Sequence, residues 1–448
     1  MTTLQPINII GAGLAGSLMS VYMAQKGYPV NIYERRSDPR TKGYLGGRSI
    51  NLALSVRGMH ALRETGMLDE VMEFAIPMYG RMLHDTEGQL TFQAYSRNKE
   101  ECIYSVSRGK LNIALMNLAE SMSEVNYYFD HRCDEIDLAS GKLHMTDTVS
   151  GKEFTVEQKA SLACDGAFSA VRYAMQKTPR FDYSQEYLAY GYKELTIPPG
   201  PNGEFQMERE ALHIWPRGNY MMIALPNPDG SFTCTLFFPY EGEKSFAALD
   251  TDERIMAFFE AEFGDAVPLI PNLLEEYHHN PTSSLVTIRC YPWTLEDKVA
   301  LIGDASHAIV PFFGQGMNAA FEDCAVMSEC IDAYAPDWHT VFDTYQKLRK
   351  ENADAIADMA LENFIEMRDT VADEEFLFRK KVEFMLGRTF EQYKSRYELV
   401  SFSRIPYAEA YQRGITNLEI LKELTTGANS LDDINLEKAE ALIQAHIG

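Results

Sequence analysis

A chain of 448 residues is long for one hydrophobic core, so two or three lobes are expected. Its 46% hydrophobic and 24% charged residues are typical of a folded globular protein. The formal net charge of −24 argues against binding to nucleic acids or anionic membrane surfaces, because both need clustered Lys and Arg.

The cysteines and the chain start indicate a cellular compartment. Seven cysteines without a Cys-x-x-Cys pair favour free thiols in a reducing environment over disulfides or a zinc site. The ten histidines include no HExxH motif, so no metal is assigned. No secretory signal is visible, and no apolar run reaches the ~18 residues that span a bilayer. We therefore expect a cytoplasmic protein without a membrane anchor; the oligomeric state stays open, a homodimer included.

The start of the chain carries the pattern of a dinucleotide-binding unit. An apolar strand at 7–10 is followed by GAGLAG (residues 11–16) and by a helical pattern at 17–26. A second strand at 30–33 ends in Glu34, 18 residues after Gly16. In this order the glycines permit a tight turn and close approach to a pyrophosphate, and Glu34 can bind ribose hydroxyls. The alternative is a fortuitous Gly-rich turn, which the strand–helix–strand context disfavours.

The elements that follow do not continue a simple βαβ repeat. The patterns predict a helix at 56–74 punctuated by Gly66, a hairpin around Gly88, a helix at 110–122 and strands at 127–129 and 142–146. LACDGAFSAVR (162–172) then predicts a strand ending in Asp165-Gly166, with Ser169 and Arg172 at a helix start. Such a turn is common, but a later strand ends similarly, in Gly303-Asp304.

Between residues 192 and 239 the pattern changes to antiparallel β. Alternating or apolar runs at 193–198, 212–216, 220–226 and 231–238 are separated by turn sequences, among them RGN and NPDG. This predicts a separate sheet and a second lobe. A helix at 251–263 follows, and a strand at 285–290 returns to the first lobe.

Residues 299–323 predict a second strand–loop–helix. An apolar strand stops at Gly303-Asp304, and a loop with Phe312 and Phe313 leads into a helix from about Met317. Unpaired N–H groups at a helix start favour an anionic ligand, although an ordinary connection is the alternative. His307 is interpreted as a structural hydrogen-bonding residue. Beyond residue 317 the pattern is mostly helical, with runs at 317–333, 338–368 and 373–399 and an amphipathic tail after Tyr407.

One GxGxxG motif with an interrupted βαβ unit favours FAD over a nicotinamide dehydrogenase. The ADP half would lie on the first unit and the isoalloxazine on 299–323. The helix start at 316–318 would lie near the pyrimidine edge of the flavin. This edge becomes negative on reduction, and a helix N-terminus stabilises a negative charge by ~0.3–1 kcal/mol. No Gly-x-Ser-x-Gly elbow, P-loop or acid–base pair is found, so catalytic acid or base residues are not assigned and the cofactor carries the chemistry.

Three motifs carry a family resemblance. GAGLAG with Glu34, CDGAFSAVR (164–172) and LIGDASHAIVPFFGQGMNAAFED (301–323) resemble, in order, those of single-component FAD aromatic hydroxylases of the p-hydroxybenzoate hydroxylase type. Longer blocks, including SVSR (105–108), PRFDYSQ (179–185), LHIWPR (212–217) and FTCTLF (232–237), are similar to the kynurenine-hydroxylating branch of this family. The similar blocks extend from about residue 5 to 413.

The resemblance and the patterns together predict an α/β fold in three parts. A Rossmann-like FAD-binding domain of the glutathione-reductase type is expected at 1–75, 100–180 and 290–335. An antiparallel β-sheet substrate domain is expected at 76–99 and 181–289, and a C-terminal helical domain at 336–448.

The activity that the resemblance implies is hydroxylation of L-kynurenine to 3-hydroxy-L-kynurenine, in tryptophan degradation or NAD synthesis through quinolinate. NADPH would act as a transient co-substrate that reduces non-covalently bound FAD. O2 would then form a flavin C4a-hydroperoxide that hydroxylates the aniline ring. The alternatives are a hydroxylase of another small aromatic acid, a flavin halogenase or reductase, and a flavin-free binding protein. The isolated tryptophans disfavour a halogenase, and Asp304 with the 316–318 helix start disfavours a binding protein.

The motifs and the resemblance also assign site residues. The cofactor positions are Gly11, Gly13, Ala15, Gly16, Tyr33, Glu34, Arg35, Arg36, Ala53, Arg108, Cys133, Asp165, Asp304, Gly316, Met317 and Asn318. The substrate positions are Arg81, Tyr95, Asn363 and Tyr397, with Phe312 and Phe313 shielding the flavin. Arg81 suits an amino-acid carboxylate, which prefers a bidentate planar partner. Taken alone, such residues are more often a solvated Arg, core tyrosines and an exposed Asn. Cys133 departs from the family's frequent Leu, which a backbone contact would tolerate.

Overall fold

The computed structural model describes residues 4–42, 51–157, 160–369 and 374–447. The chain divides into two compact units. Unit 1 comprises Met1–Ala75, Val106–Tyr187 and Val286–Ala357, and unit 2 comprises Ile76–Ser105, Leu188–Leu285 and Asp358–Gly448. The mixed α/β class predicted from the sequence is confirmed. The division into three domains stays a prediction.

Unit 1 is built on a six-stranded sheet. Its strand order is Thr294–Leu295, Val299–Leu301, Ser161–Ala163, Ile7–Ile10, Val30–Tyr33 and Val125–Tyr128. All neighbours are parallel except Thr294–Leu295, which pairs antiparallel with Val299–Leu301. All four residues of Ile7–Ile10 are buried, as continuous apolar strands of a parallel sheet are.

Helices and a small sheet complete unit 1. The helices are Leu14–Gln25, Pro39–Lys42, Val56–Glu64, Leu68–Met72, Arg108–Ser121, Ala170–Met175 and Gly316–Tyr334, followed by the first part of Trp338–Asp369. A short strand, Asn51–Leu54, precedes Val56–Glu64, and the antiparallel strands His131–Ile136, Leu143–Asp147 and Glu153–Val156 form the small sheet. The helix predicted at 56–74 is two helices, because the chain turns at Gly66 with φ +78°.

A seven-stranded sheet has most of its residues in unit 2. Its order is Ser283–Tyr291, Asp182–Ile197, Phe232–Pro239, Met221–Pro226, Ala211–Pro216, Gly80–His84 and Leu90–Ala94. The predicted antiparallel runs are present, but Ala211–Pro216 and Gly80–His84 pair parallel, which the sequence pattern did not indicate. Trp215, Phe238 and Phe259 lie in one buried core, to which the helices Asp252–Glu262 and Leu273–His279 contribute. The short strands Ile76–Met78 and Ile103–Ser107 pair antiparallel.

The C-terminal helices of unit 2 are Glu374–Thr389, Arg396–Ser401, Tyr407–Thr425 and Leu436–His446. The single run predicted at 373–399 is wrong, because a new helix begins after Ser395. There the Ser395 side chain accepts the Glu398 N–H while Glu398 binds the Ser395 N–H, which is a capping box. Val382, Leu386, Ile420 and Ile443 form the core of these helices. None of the helices in the described ranges is both long and apolar enough to cross a membrane.

Candidate functional site

Four parallel strands of unit 1 end at residues that the sequence assigned to a cofactor. The residues after these strand ends are Gly11, Glu34, Asp165 and the Gly303-Asp304 pair. Strand Ile7–Ile10 lies between Val30–Tyr33 and Ser161–Ala163, so the strand order reverses here. Ligands of open α/β sheets bind at the carboxyl ends of strands at such a reversal.

The glycines of the first turn have different roles. Gly11 has φ +95°, and a Cβ there would lie 2.5 Å from the carbonyl oxygen of Cys164. A Cβ at Gly16 would lie 1.9 Å from the Gly11 oxygen, whereas a Cβ at Gly13 would meet nothing within 4 Å. Gly13 begins helix Leu14–Gln25, which receives no side-chain cap from the described residues. The open space and the uncapped N–H groups fit a pyrophosphate.

Glu34 supports this turn through its carboxylate. One oxygen accepts the Ala12 N–H at 2.9 Å, and the other accepts the Arg36 N–H at 2.9 Å. Tyr33 is buried and stacks on Tyr128 with 5.0 Å between ring centroids. The side chains of Arg35 and Arg36 are exposed. Binding of Glu34 to a ribose stays a prediction.

The two Asp-containing strand ends are joined by Arg172. Its Nη1 donates to the Ala305 carbonyl at 2.8 Å and its Nη2 to the Ala167 carbonyl at 2.5 Å. Asp165 accepts the N–H groups of Ala170 and Val171 at 2.8 and 3.3 Å, and its other oxygen is buried without a partner among the described residues. Burial raises the pKa of Asp165. Arg172 was visible in the sequence but was not assigned to the site.

The start of helix Gly316–Tyr334 is held by Asn318. Its Nδ2 donates to the carbonyls of Ala53 and Gly314 at 2.8 and 3.0 Å, and its Oδ1 accepts the Ser55 N–H at 2.9 Å. The amide is thus engaged by backbone, so the first turn would have to bind a ligand through its backbone N–H groups. No described side chain caps this helix start, which fits the negative edge of a reduced flavin.

A buried ionic network stabilises the same helix. Asp323 accepts hydrogen bonds from Arg349 Nε at 2.7 Å, His307 Nε2 at 2.6 Å and Gly303 N at 3.1 Å. Glu322 pairs with Arg57 and Arg349, each at 2.6 Å. Although burial opposes it, His307 and Arg349 hold the pKa of Asp323 below its usual range. His307 therefore makes the structural hydrogen bond that the sequence predicted, whereas Asp323 was missed.

The other predicted cofactor positions of unit 1 differ in exposure. Asp304 and Arg108 are exposed, Ala15, Ala53 and Gly316 are half-buried, and Met317 and Cys133 are buried. Phe312 and Phe313 are buried in the turn Pro311–Phe313.

Three predicted substrate residues come together in unit 2. The Arg81 guanidinium lies 5.8 Å from the ring centroid of Tyr95 and 5.3 Å from that of Tyr397. The two rings stack with centroids 4.8 Å apart and an interplanar angle of 16°. Arg81 lies on strand Gly80–His84, Tyr95 follows strand Leu90–Ala94, and Tyr397 lies on the capped helix Arg396–Ser401. The fourth residue, Asn363, is buried on helix Trp338–Asp369.

This cluster contains polar atoms suited to an anionic group. Arg81 Nε and the Tyr95 hydroxyl are buried and have no hydrogen-bond partner in the described part of the chain. Buried donors of this kind normally have partners, so they fit a polar ligand. Burial raises the pKa of Tyr95, which keeps its hydroxyl a donor. Near Arg81, Glu366 pairs with Lys380 at 3.1 Å, and although burial opposes it, Lys380 and Arg81 lower the Glu366 pKa.

Comparisons with known proteins show the family and the fold of the chain. A family model described as an FAD binding domain matches residues 5–360. The chain is 49% identical to kynurenine 3-monooxygenase of Myxococcus xanthus, over 98% of this chain and 95% of that protein. It is also 49% identical to kynurenine 3-monooxygenase of Dictyostelium discoideum, over 98% and 96%. The structure of 2-methyl-3-hydroxypyridine-5-carboxylic acid oxygenase is similar with a TM-score of 0.67 and 19% identity, over 82% of this chain and 94% of that one. This last likeness shows a shared fold.

Proposed function

We propose that this chain, which belongs to the kynurenine 3-monooxygenase family of FAD-dependent enzymes, hydroxylates L-kynurenine to 3-hydroxy-L-kynurenine with NADPH and O2. The observation that carries this proposal is 49% identity to two curated relatives over nearly the full length of all three chains. The family match over residues 5–360 supports the flavin.

FAD, when bound, supplies the activation of O2, which no protein side chain can perform. The residues of unit 1 would bind and orient it. The uncapped helix start at Gly13 would hold the pyrophosphate, Glu34 the ribose, Asp304 the ribityl chain, and the N–H groups at 316–318 the pyrimidine edge. The other predicted positions would line the same site, and these are Gly11, Ala15, Gly16, Tyr33, Arg35, Arg36, Ala53, Arg108, Cys133 and Asp165.

The residues of unit 2 would recognise the amino-acid end of the substrate. Arg81 would bind the carboxylate through two parallel hydrogen bonds, a geometry that guanidinium permits and ammonium does not. The buried hydroxyl of Tyr95 would supply a further donor, with Tyr397 and Asn363 completing the site. Phe312 and Phe313 would exclude water from the flavin. The role of each of these residues is part of the proposal.

A coupled assay tests the proposed reaction. L-Kynurenine should accelerate NADPH oxidation by the FAD-loaded protein and yield a product heavier by one oxygen atom. p-Hydroxybenzoate and anthranilate serve as matched aromatic acids. NADPH oxidation that yields only peroxide, with no hydroxylated product from L-kynurenine, would exclude the substrate. A colourless protein that does not take up FAD would exclude the enzyme class.

The cellular context completes the proposal. A part in tryptophan degradation or NAD synthesis follows from the proposed reaction, and the seven free cysteines support a cytoplasmic location. Cell fractionation tests the first, and the kynurenine content of a strain lacking the protein tests the second.

A further inference from the structure

A continuous chain of hydrogen bonds runs through the buried side of the unit 2 sheet. Asp265 Oδ2 lies 2.6 Å from His84 Nδ1, and His84 Nε2 lies 2.8 Å from His213 Nδ1. His213 Nε2 lies 2.7 Å from the carbonyl oxygen of Glu208. Both imidazoles are buried, with exposures of 4% for His84 and 1% for His213. All four ring nitrogens are therefore engaged away from bulk water.

These three bonds fix the number of protons on the two rings. A carbonyl oxygen only accepts, so His213 Nε2 must carry a proton. The bond between the rings needs a second proton, and the bond to Asp265 needs a third. Two neutral imidazoles carry two protons together, so with Asp265 ionised the third makes one ring an imidazolium and Asp265 its counter-ion.

The surroundings support an ionised Asp265. Trp215 Nε1 donates to both of its oxygens, at 2.9 and 3.1 Å, and a hydrogen bond donated to a carboxyl group favours its charged form. Although burial opposes it, the bonds from His84 and Trp215 lower the pKa of Asp265. Burial lowers the pKa of His213 to about 4, which disfavours a second proton on that ring.

Other charged groups also face the pair. Arg217 donates to the carbonyls of His84 and Asp85 at 2.9 and 3.1 Å, and its charge opposes a second cation nearby. Glu262 lies 4.0 Å from Arg217 Nε and partly offsets that charge. Asp265 is thus the direct partner of the imidazolium, while Arg217 holds the strand end.

The chain of hydrogen bonds links two paired strands, one of which carries Arg81. His84 ends strand Gly80–His84, and His213 lies on the parallel neighbour Ala211–Pro216, where Leu212 is opposite Arg81. Side chains alternate between the faces of a sheet, so a shift of one residue would turn Arg81 to the opposite face. Within this short strand, Gly80 has no side chain that could help to define the register.

We propose that His84 and His213 share one proton beyond those of two neutral rings, and that this pair, neutralised by Asp265, fixes the strand that presents Arg81. His84, His213 and Asp265 are then positioning residues for substrate recognition. This consequence rests on the function proposed above, whereas the shared proton does not.

Nitrogen NMR of the FAD-loaded protein, labelled at the histidine rings, tests the proton count. Signals are assigned by their loss in His84→Gln and His213→Gln. Near neutral pH we expect three protonated nitrogens and one unprotonated nitrogen among the four. Only two protonated nitrogens would overturn the shared proton.

Asp265→Asn, which keeps the shape of the side chain and removes its charge, tests the positioning. We expect loss of the third protonated nitrogen and a roughly tenfold higher KM for L-kynurenine, with kcat and FAD affinity within about twofold of the wild type. A general loss of folding would instead lower kcat and FAD content together. His144→Gln, at an exposed histidine, is the matched control.

The outcomes separate the two proposals. An unchanged KM in Asp265→Asn, with the third proton absent, would overturn the positioning role. If Asp265→Asn does not fold, His84→Gln is measured in its place with the same KM and FAD criteria. A wild-type protein that does not hydroxylate L-kynurenine would overturn the proposed function and leave the proton count standing.

Discussion

Arg172 Nη1 donates a hydrogen bond of 2.8 Å to the carbonyl oxygen of Ala305. Because Nη2 of the same guanidinium binds Ala167 O, one side chain joins the loops that follow two adjacent parallel strands. These loops carry Asp165 and Asp304. Neither aspartate binds the other loop directly in the described contacts, whereas the Arg172 guanidinium links the two loops.

Replacing Arg172 by Ala should weaken FAD binding. Each hydrogen bond to a charged group contributes about 1.5–3 kcal/mol, so losing two that hold a binding loop should raise the Kd for FAD roughly tenfold or more. Flavin fluorescence titration measures the Kd. Arg132→Ala, which removes an exposed arginine of unit 1, should leave it unchanged. Equal Kd values for the two variants would contradict this role of Arg172.

Two glycines of the first turn should respond differently to alanine. At Gly13 the backbone has φ −73°, and a Cβ meets no protein atom, so Gly13→Ala should fold with an unchanged Tm in the absence of FAD. The methyl group would occupy the space assigned to the pyrophosphate, and the Kd for FAD should rise by at least about tenfold. Normal FAD affinity in this variant would show that the pyrophosphate lies elsewhere.

Gly16→Ala is the matched counterpart. Its Cβ would lie 1.9 Å from the Gly11 oxygen, a distance at which the backbone must move. Overpacking of this kind costs about 1–3 kcal/mol, so the Tm of the FAD-free protein should fall by several degrees. Differential scanning fluorimetry without added FAD distinguishes the two variants, and an unchanged Tm for Gly16→Ala would contradict the described packing.

The sequence predicted the cofactor half of the fold well because its signals are local. Two such signals can be recognised from a few adjacent residues: GAGLAG between a strand and a helix, and the strand end at Gly303-Asp304. The helix break before Ser395 was also local, since Ser-Arg-Tyr-Glu is a capping-box sequence, but the apolar periodicity on both sides concealed it.

The remaining features depend on contacts between distant residues. Nothing local to Arg81 indicates that its guanidinium meets Tyr397, which lies more than 300 residues later, and only the family resemblance suggested their association. The parallel pairing of Gly80–His84 with Ala211–Pro216 is equally non-local. In the sequence Asp323 is one more acidic residue on a helix. Its partners His307 and Arg349 lie outside that helix, so the contacts are not evident from the local pattern.

Arg81→Ala should impair substrate binding and spare the cofactor. Loss of the bidentate partner of a carboxylate should raise KM for L-kynurenine by roughly a hundredfold, because charge-assisted hydrogen bonds are the strong ones. Arg81→Lys should recover only part of the lost substrate affinity, since an ammonium group cannot form two parallel hydrogen bonds. Steady-state kinetics and FAD titration measure both effects.

Arg209→Ala, at an exposed arginine of unit 2, provides the control for Arg81 and should leave KM unchanged. Loss of FAD from Arg81→Ala with an unaltered KM would mean that Arg81 belongs to the cofactor site.

The stability of the protein should fall in mild acid partly through His213. Burial lowers the pKa of His213 to about 4 from its ordinary value of 6.5, so the unfolded chain binds this proton first. The contribution of His213 to the free energy of unfolding is therefore fully present above pH 6.5 and is lost as the pH falls through about 4. Urea unfolding between these pH values should show that the free energy of unfolding falls less steeply with decreasing pH for His213→Gln than for the wild type. His278→Gln, at an exposed histidine, should behave like the wild type, and equal slopes for all three proteins would exclude His213 as a source.

The seven cysteines bear on how long such a catalyst survives its own chemistry. All are buried, and burial raises the pKa of each thiol, that of Cys330 to about 11. Oxidants attack the thiolate, which is scarce under these conditions. A reduced flavin that reacts with O2 without hydroxylating a substrate would release hydrogen peroxide. Because its thiols are kept protonated and out of reach, the protein should lose few of them to this leak.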